Sequence, residues 1–92
     1  MANKLQNLGL AYKANKVVLG QEVLNNLSKI KLMFIASDIS VLSKNRLLKK
    51  CSFYNIKYID SYSCEELSNA LGKKNIKTIG IVDEGFKNVL LK

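Results

Sequence analysis

Leu32-Met33-Phe34-Ile35-Ala36 is the longest continuous apolar run in the sequence. It shows neither the alternation of a half-exposed strand nor the spacing of a surface helix, and therefore predicts a strand buried on both faces. The residues that follow it, Ser37-Asp38-Ile39-Ser40, have the composition of a turn that caps a helix. A strand of this kind requires helices on both sides of its sheet.

Helix and strand patterns alternate on both sides of this run. The predicted strands are Lys16–Leu19, Leu32–Ala36, Ile56–Asp60 and Thr78–Val82. The first predicted helix begins at a cap formed by Asn3 and Gln6, and the second runs from Gln21 to Ser28. The third begins after Ser40 and ends near Tyr54. The fourth begins at the Ser63–Glu66 capping box and ends at Gly72, and the last begins at Asp83. Their predicted inward residues are Leu5, Leu8 and Tyr12; Leu24 and Leu27; Leu47, Leu48, Cys51 and Tyr54; Cys64, Leu67, Ala70 and Leu71; and Phe86, Val89 and Leu90.

The alternation of elements predicts an α/β fold, a three-layer α/β/α sandwich in which helices cover both faces of one sheet. The connecting segments are too short for a linker, and the sequence contains no internal repeat or low-complexity tract. We therefore expect residues 1–92 to form a single domain.

The charge is strongly positive. The 92 residues include 15 Lys+Arg and 7 Asp+Glu, for a net charge of +8, and the excess lies in the first two thirds of the chain. A basic surface attracts polyanions through counterion release, which favours nucleic acid as a partner. Lysine used only for solubility explains the same composition, so charge alone leaves both interpretations open.

The residues that usually carry catalysis are missing. The chain has no His, and Cys51 and Cys64 lack both an activating base and zinc-ligand spacing, so both are expected to fill the core. Four of the acidic residues fall in the first turns of predicted helices, where they complement the helix dipole. We therefore expect neither an enzyme nor a metal or cofactor site. The absence of a long apolar segment and of a signal core predicts a cytoplasmic protein.

Three segments are candidate binding sites. Gly20 joins a strand to a helix whose N-terminal N–H groups suit a phosphate, although a simple tight turn explains it equally. Asp38 follows the buried strand at an edge where α/β sheets bind ligands, although a capping role explains it too. The segment 72–77 places three lysines around Ile76, which is expected to be exposed. This composition suits phosphate contact together with packing against a base, although an ordinary solvated loop explains it too.

Five blocks of the sequence, in order, resemble the bacterial YlxQ-type branch of the kink-turn-binding ribosomal-protein family. They are Leu8-Gly9-Leu10-Ala11-Tyr12-Lys13-Ala14-Asn15-Lys16-Val17-Val18-Leu19-Gly20, Lys31–Ser40, Cys51–Ile56, Leu67-Ser68-Asn69-Ala70-Leu71-Gly72-Lys73 and Val82-Asp83-Glu84-Gly85-Phe86. The resemblance implies a mixed four-stranded sheet and a monomeric, non-catalytic protein. It also implies structured RNA, either rRNA or another kink-turn RNA, as the partner, with a possible place on the ribosome.

The resemblance also implies which residues meet RNA. In this sequence the implied RNA-binding residues are Lys13, Lys16, Gly20, Gln21, Glu22, Asn25, Asn26, Lys29, Ser37, Asp38, Lys73, Lys74, Asn75, Ile76 and Lys77. The strongest binders of the family carry Gly-x-Asn-Glu-x-x-Lys, where this chain has Glu22, Val23 and Asn26 at the last three defined positions, and Ser68 replaces a usual glycine. The alternative is a protein-interaction or ribosome-assembly module of the same fold that has lost RNA specificity.

Overall fold

The computed structural model describes residues 4–91, so the predicted cap at Asn3 lies outside the described residues. The chain alternates helices and strands throughout this range. The helices are α1 (Lys4–Lys13), α2 (Gln21–Asn25), α3 (Val41–Phe53), α4 (Cys64–Leu71) and α5 (Glu84–Leu90), with a single 3-10 turn at Leu27–Lys29. The strands are β1 (Val17–Leu19), β2 (Leu32–Ile35), β3 (Lys57–Ile59) and β4 (Thr78–Ile81).

The strands form one mixed sheet in the order β1-β4-β2-β3. β2 pairs with β3 in parallel, whereas β4 lies antiparallel between β1 and β2, with Ile79 opposite both Leu19 and Phe34. Consequently β1, β2 and β3 end at the same edge at which β4 begins. We call this the upper edge, marked by Gly20, Ala36 and Thr78, and the opposite one the lower edge.

Both faces of the sheet are covered, as the apolar run of β2 predicted. Leu32 and Phe34 pack with buried residues of α1, α4 and α5 on one face. Met33 and Ile35 pack with Val23 of α2 and Cys51 of α3 on the other. This alternation follows from the two-residue period of a strand and confirms the predicted three-layer α/β/α sandwich with a mixed four-stranded sheet.

The helix ends follow the predicted capping chemistry. Ser63 and Glu66 form a complete capping box at the start of α4, and Gly72 ends that helix in the left-handed conformation at φ 67°. The side chains of Ser40 and Asp83 accept backbone N–H groups at the starts of α3 and α5. These contacts satisfy N–H groups that the first turn of a helix leaves without a partner.

Several predicted details are wrong. Each predicted strand is one or two residues too long. The predicted helix Gln21–Ser28 ends at Asn25, because Asn26 leaves helical geometry at φ −126° and donates its side-chain amide to the Glu22 carbonyl oxygen (2.8 Å). A side chain that bonds to nearby backbone in this way competes with helix continuation.

Three residues predicted to face inward are partly exposed instead. They are Leu24 (42% exposed), Tyr54 (42%) and Val89 (43%). Helical spacing identifies which residues share a face, but not how far that face is covered by the neighbouring elements. Tyr54 lies just beyond the end of α3, where the chain turns towards β3.

Candidate nucleic-acid interface

The upper edge brings together the three segments that the sequence identified as candidate sites. Ser37 follows the end of β2, Gly20 follows the end of β1, and Lys77 immediately precedes β4. The backbone N–H of Ala36 donates to the Lys77 carbonyl oxygen (2.8 Å), which fixes two of these segments against each other. Residues far apart in sequence therefore meet at one end of the sheet, where ligands commonly bind to α/β proteins.

Gly20 forms the turn between β1 and α2 with a backbone that favours glycine. Its φ is 55° and its ψ is −126°, a conformation that residues with a Cβ rarely adopt. Because glycine has no side chain, α2 receives no side-chain cap, and Gln21 and Glu22 are exposed beside it. The turn thus presents backbone and first-turn N–H groups to a ligand at the upper edge.

The segment 72–77 is held in place by Ser68, a residue that sequence analysis did not assign to the site. The backbone N–H of Ile76 donates to Ser68 Oγ (2.9 Å), and that hydroxyl donates to the Cys64 carbonyl oxygen (2.7 Å). Ile76 is partly buried and packs against the core, so its predicted full exposure is wrong. The sequence could have indicated this bond, because it places a serine beside Leu67 on the inward face of α4.

The two positions before Ile76 remain at the surface. Lys74 and Asn75 are exposed, and Asn75 adopts a left-handed backbone with φ 59°. Asparagine tolerates this conformation better than most residues. Anchoring of Ile76 therefore points the charged part of the segment outward, which agrees with the proposed phosphate contacts.

Asp38 has a structural bond at the same edge. Its Oδ1 accepts the backbone N–H of Cys64 (2.9 Å), so it satisfies the N-terminus of α4 from another loop. The carboxylate is nevertheless exposed, and the neighbouring Ser37 donates its backbone N–H to the Tyr62 carbonyl oxygen (2.8 Å). The capping interpretation of Asp38 is confirmed, and a ligand contact by the same exposed residue stays a prediction.

Two shallow depressions connect these segments into one surface. The first, of about 240 Å³, is lined by α2 and the loop before β4, including Gly20, Gln21, Asn75 and Lys77. The second, of about 550 Å³, is lined by the loop after β2, the start of α3 and the same Lys77. Because Lys77 borders both, a ligand seated here touches the three predicted segments together.

Other predicted RNA-binding residues lie away from this edge. Lys16 lies at the lower edge, where its carbonyl oxygen accepts the Val82 backbone N–H (3.0 Å), and Lys13 closes the helix before it. Lys29 follows α2 near the start of β2, at the same lower end. RNA contact by these three lysines stays a prediction and requires an RNA that extends along the protein.

The polar residues of α2 differ in how free they are. Asn25 is exposed, whereas Asn26 uses its amide within α2, with a further contact to Glu22 Oε2 (3.4 Å). Within residues 4–91, Lys73, Lys74 and Lys77 form no ion pair. The Lys73 ammonium lies 5.7 Å from the centre of the Tyr12 ring, a cation–π contact that holds it on α1.

The cysteines have different surroundings. Cys51 is buried and its thiol donates to the Met33 sulfur (3.6 Å), as expected of a core residue, and burial raises the pKa of the Cys51 thiol. Cys64 is partly buried and packs against the other core cluster. In the part of the chain that the structure describes, no three His, Cys, Asp or Glu side chains group as metal ligands, and no helix is long and apolar enough to cross a membrane.

This arrangement of sheet and helices is found in solved structures of other proteins. The structure of the Giardia lamblia 15.5kD RNA binding protein superposes with a TM-score of 0.80, covering 95% of this chain and 78% of that one, at 19% identity. That likeness establishes the fold alone. A Bacillus halodurans C protein described as of unknown function is more similar, with a TM-score of 0.92 and 31% identity over 99% of this chain and 95% of its own.

The chain belongs to the ribosomal protein L7Ae/L30e/S12e/Gadd45 family, whose model matches residues 3–91. The RNA-binding protein YlxQ of Enterococcus faecium is 36% identical over 88 residues, which cover 90% of this chain and 84% of the relative. Family membership confirms the resemblance drawn from the five sequence blocks and the prediction that the chain is not an enzyme.

Proposed function

We propose that this protein is a non-catalytic RNA-binding protein that recognises kink-turn or other bent, structured RNA at the upper edge. The observation that carries the proposal is the convergence of the Gly20 turn, the segment 72–77 and the Ser37–Asp38 loop on one continuous surface. The name of the Enterococcus faecium relative, an RNA-binding protein, supports the same function.

The three segments offer different kinds of contact. At Gly20 the backbone is open, because no heavy atom lies within 4 Å of where a Cβ would stand. Lys74 and Lys77 supply cations without ion-pair partners in the described chain, which suits phosphate oxygens. Gln21 and Asn75 add exposed amides for hydrogen bonds to base edges or sugar hydroxyls.

The geometry favours a bent partner over a straight one. The contacting segments surround two depressions, and a partner that touches all three must follow a concave path across Lys77. A sharply bent RNA presents phosphates and unstacked bases together on such a path. We propose that one protein molecule, acting as a single domain, binds one such site in rRNA or in another kink-turn RNA.

The test is a titration of the protein against a kink-turn RNA and a straight duplex of equal length. We expect clearly tighter binding of the bent RNA, and binding that weakens as salt is raised. Lys77→Gln should weaken binding and reduce the steepness of the log–log salt dependence by about 1, because one phosphate contact is lost. Lys57→Gln is the matched control, since Lys57 begins β3 at the lower edge.

Equal affinity for the two RNAs would contradict recognition of bent RNA. An effect of Lys57→Gln as large as that of Lys77→Gln would contradict the position of the site. Absence of RNA binding at low salt would leave the protein-interaction module as the function of this fold.

A further inference from the structure

A second surface feature adjoins the upper edge, an apolar groove between α2 and α3. It has a volume of about 630 Å³, and its floor includes Leu24, Leu47, Phe53 and Tyr54. The Phe53 ring is 81% exposed, unusual for a large aromatic side chain with no partner on its outer side. Several exposed apolar side chains grouped in one groove make it a candidate interaction site.

Positive charge surrounds this apolar floor. The rim of the groove carries Arg46, Lys49 and Lys50, and α3 contains no acidic residue. Its remaining cation, Lys44, is neutralised by Asp60 (3.0 Å), whereas the three rim cations form no ion pair in the described chain. The occupant of the groove is therefore expected to combine flat or apolar groups with negative charge.

The residues that line the groove lie along one face of α3. Ser43, Leu47, Lys50 and Phe53 are spaced three or four residues apart, so they extend about 15 Å along the helix. Phe53 and Tyr54 contact each other edge to face, with ring centres 5.1 Å apart at 69°. That contact orients the Phe53 ring while leaving its outer side open to stacking.

The groove is continuous with the upper edge. Leu24 and Leu47 line both the groove and the depression that contains Gly20 and Lys77. A nucleotide strand that leaves the bent RNA at Gly20 can therefore reach the groove by passing over these two shared side chains. This continuity and the three unpaired cations favour RNA as the occupant of the groove. An acidic peptide is less favoured, because nothing at the upper edge would lead it into the groove.

We infer that the α2–α3 groove binds unpaired nucleotides that flank the bent RNA, with a base stacked on Phe53 and phosphates held by Arg46, Lys49 and Lys50. The inference rests on the proposed function, which it extends from the upper edge to a single-stranded subsite. Sequence-independent stacking on aromatic rings combined with a basic groove is the usual physics of single-strand binding.

The experiment compares one bent RNA with blunt ends to the same RNA carrying a short single-stranded extension at the 5′ or the 3′ end. We expect one of the two extensions to raise affinity by roughly tenfold, as expected for one stacked base. An extension of the same length without bases keeps the phosphates and should lose most of this gain. Phe53→Ala should remove the gain while leaving affinity for the blunt RNA unchanged.

Two further variants separate stacking from general effects. Phe53→Tyr keeps an aromatic ring and should retain the gain. Leu42→Ala is the matched control, because Leu42 is an exposed apolar residue of α3 that does not line the groove. Thermal melts should be nearly unchanged for all three variants, since these side chains contribute little to the core.

The inference is overturned if neither extension raises affinity, or if Phe53→Ala weakens the blunt and extended RNAs equally. It is also overturned if an acidic peptide with aromatic residues binds the groove while the extensions add nothing. Failure of the proposed function gives a different result, namely equal affinity for blunt bent and straight RNA. In that case a gain from an extension on the straight duplex still supports the groove.

Discussion

Replacing Gly20 by alanine separates a structural turn from an RNA-docking surface. The substitution adds one methyl group at φ 55° and ψ −126°, and no heavy atom lies within 4 Å of the new Cβ. The methyl group therefore projects into open space instead of into the protein. Any loss of stability arises from backbone strain, and any loss of affinity beyond that arises from the ligand that occupies this space.

The expected stability cost follows from the backbone conformation. A non-glycine residue held in such a sparsely populated region costs about 1–3 kcal/mol. A domain of this length has a total stability of about 5–14 kcal/mol, so the Gly20→Ala protein remains folded at room temperature. Each kcal/mol lowers the melting temperature by about 4–8 °C for a chain of this size.

The expected effect on binding is larger than strain alone explains. If RNA packs against the Gly20 backbone, the methyl group holds it away and lowers affinity by more than roughly tenfold, about 1.4 kcal/mol. Asn55→Ala provides the control, because Asn55 also has a positive φ of 55° but lies just before β3, at the lower edge. It should lower the melting temperature and leave RNA affinity nearly unchanged.

The assay is an RNA titration of each variant at a temperature where its melt shows it fully folded. Wild-type affinity of Gly20→Ala would refute the argument and exclude the Gly20 turn from the interface. Equal affinity losses in Gly20→Ala and Asn55→Ala would refute it as well, because the loss would then follow from destabilisation. Gln21→Ala should give a smaller loss than Gly20→Ala, since it removes one side-chain hydrogen bond.

Three further predictions follow from charge, burial and the anchored loop. RNA affinity should fall with salt along a log–log slope of about −3 to −5, corresponding to roughly four to six phosphate contacts, and a flat dependence would contradict them. Cys51→Ala should lower stability by about 1–3 kcal/mol in a denaturant melt without changing RNA affinity. Because the pKa of Cys51 is raised in the folded protein, the unfolded thiol loses its proton at a lower pH than the folded one. The free energy of unfolding should therefore decline as pH rises above the unfolded thiol's pKa. A decline of the same size in Cys51→Ala would exclude the Cys51 thiol as its cause. Ser68→Ala leaves the Ile76 N–H without its partner, so it should lower the free energy of unfolding by about 1–3 kcal/mol and weaken RNA binding. Ser68→Thr should retain RNA binding if it keeps the hydroxyl in place. Unchanged RNA binding by Ser68→Ala would show that the anchor is not needed.

The fold was predictable from local patterns because they agree with one another. The run Leu32–Ala36 identified the central strand, and the Ser63 capping box identified the start of α4. The capping box depends on residues three positions apart, and the buried strand depends only on the strand period, so neither requires knowledge of distant contacts. The end of α2 was missed because helical spacing continues to Leu27, while the chain is turned by the Asn26 amide. Helical spacing favours continuing the helix there, whereas the Asn26 side chain favours ending it, and periodicity detects only the first preference.

The candidate site was only partly predictable, because its geometry depends on tertiary contacts. Gly20, Asp38 and the segment 72–77 were each identified as candidates, yet nothing local places them on one surface. Lys16 shows that proximity in sequence does not give proximity in space, since it is near Gly20 in sequence but lies at the other end of β1. The role of Ser68 depends on a bond to a residue eight positions away.

The anchoring of the upper edge is the physical reason why we expect selectivity for bent RNA without the family's full Gly-x-Asn-Glu-x-x-Lys pattern. Ala36 bonds to Lys77, Ser68 bonds to Ile76, and Asp38 bonds to the start of α4, so the segment 72–77 and the Ser37–Asp38 loop are fixed before RNA arrives. Binding then requires little ordering of the protein, and its free energy depends on how many fixed groups the RNA reaches at once. Under the proposed function, a straight duplex is expected to reach one or two of the three segments, whereas a bent RNA is expected to reach all of them. We therefore expect selectivity for bent RNA to depend on the spacing of the segments more than on base contacts by Glu22 or Asn26, which are already engaged with each other.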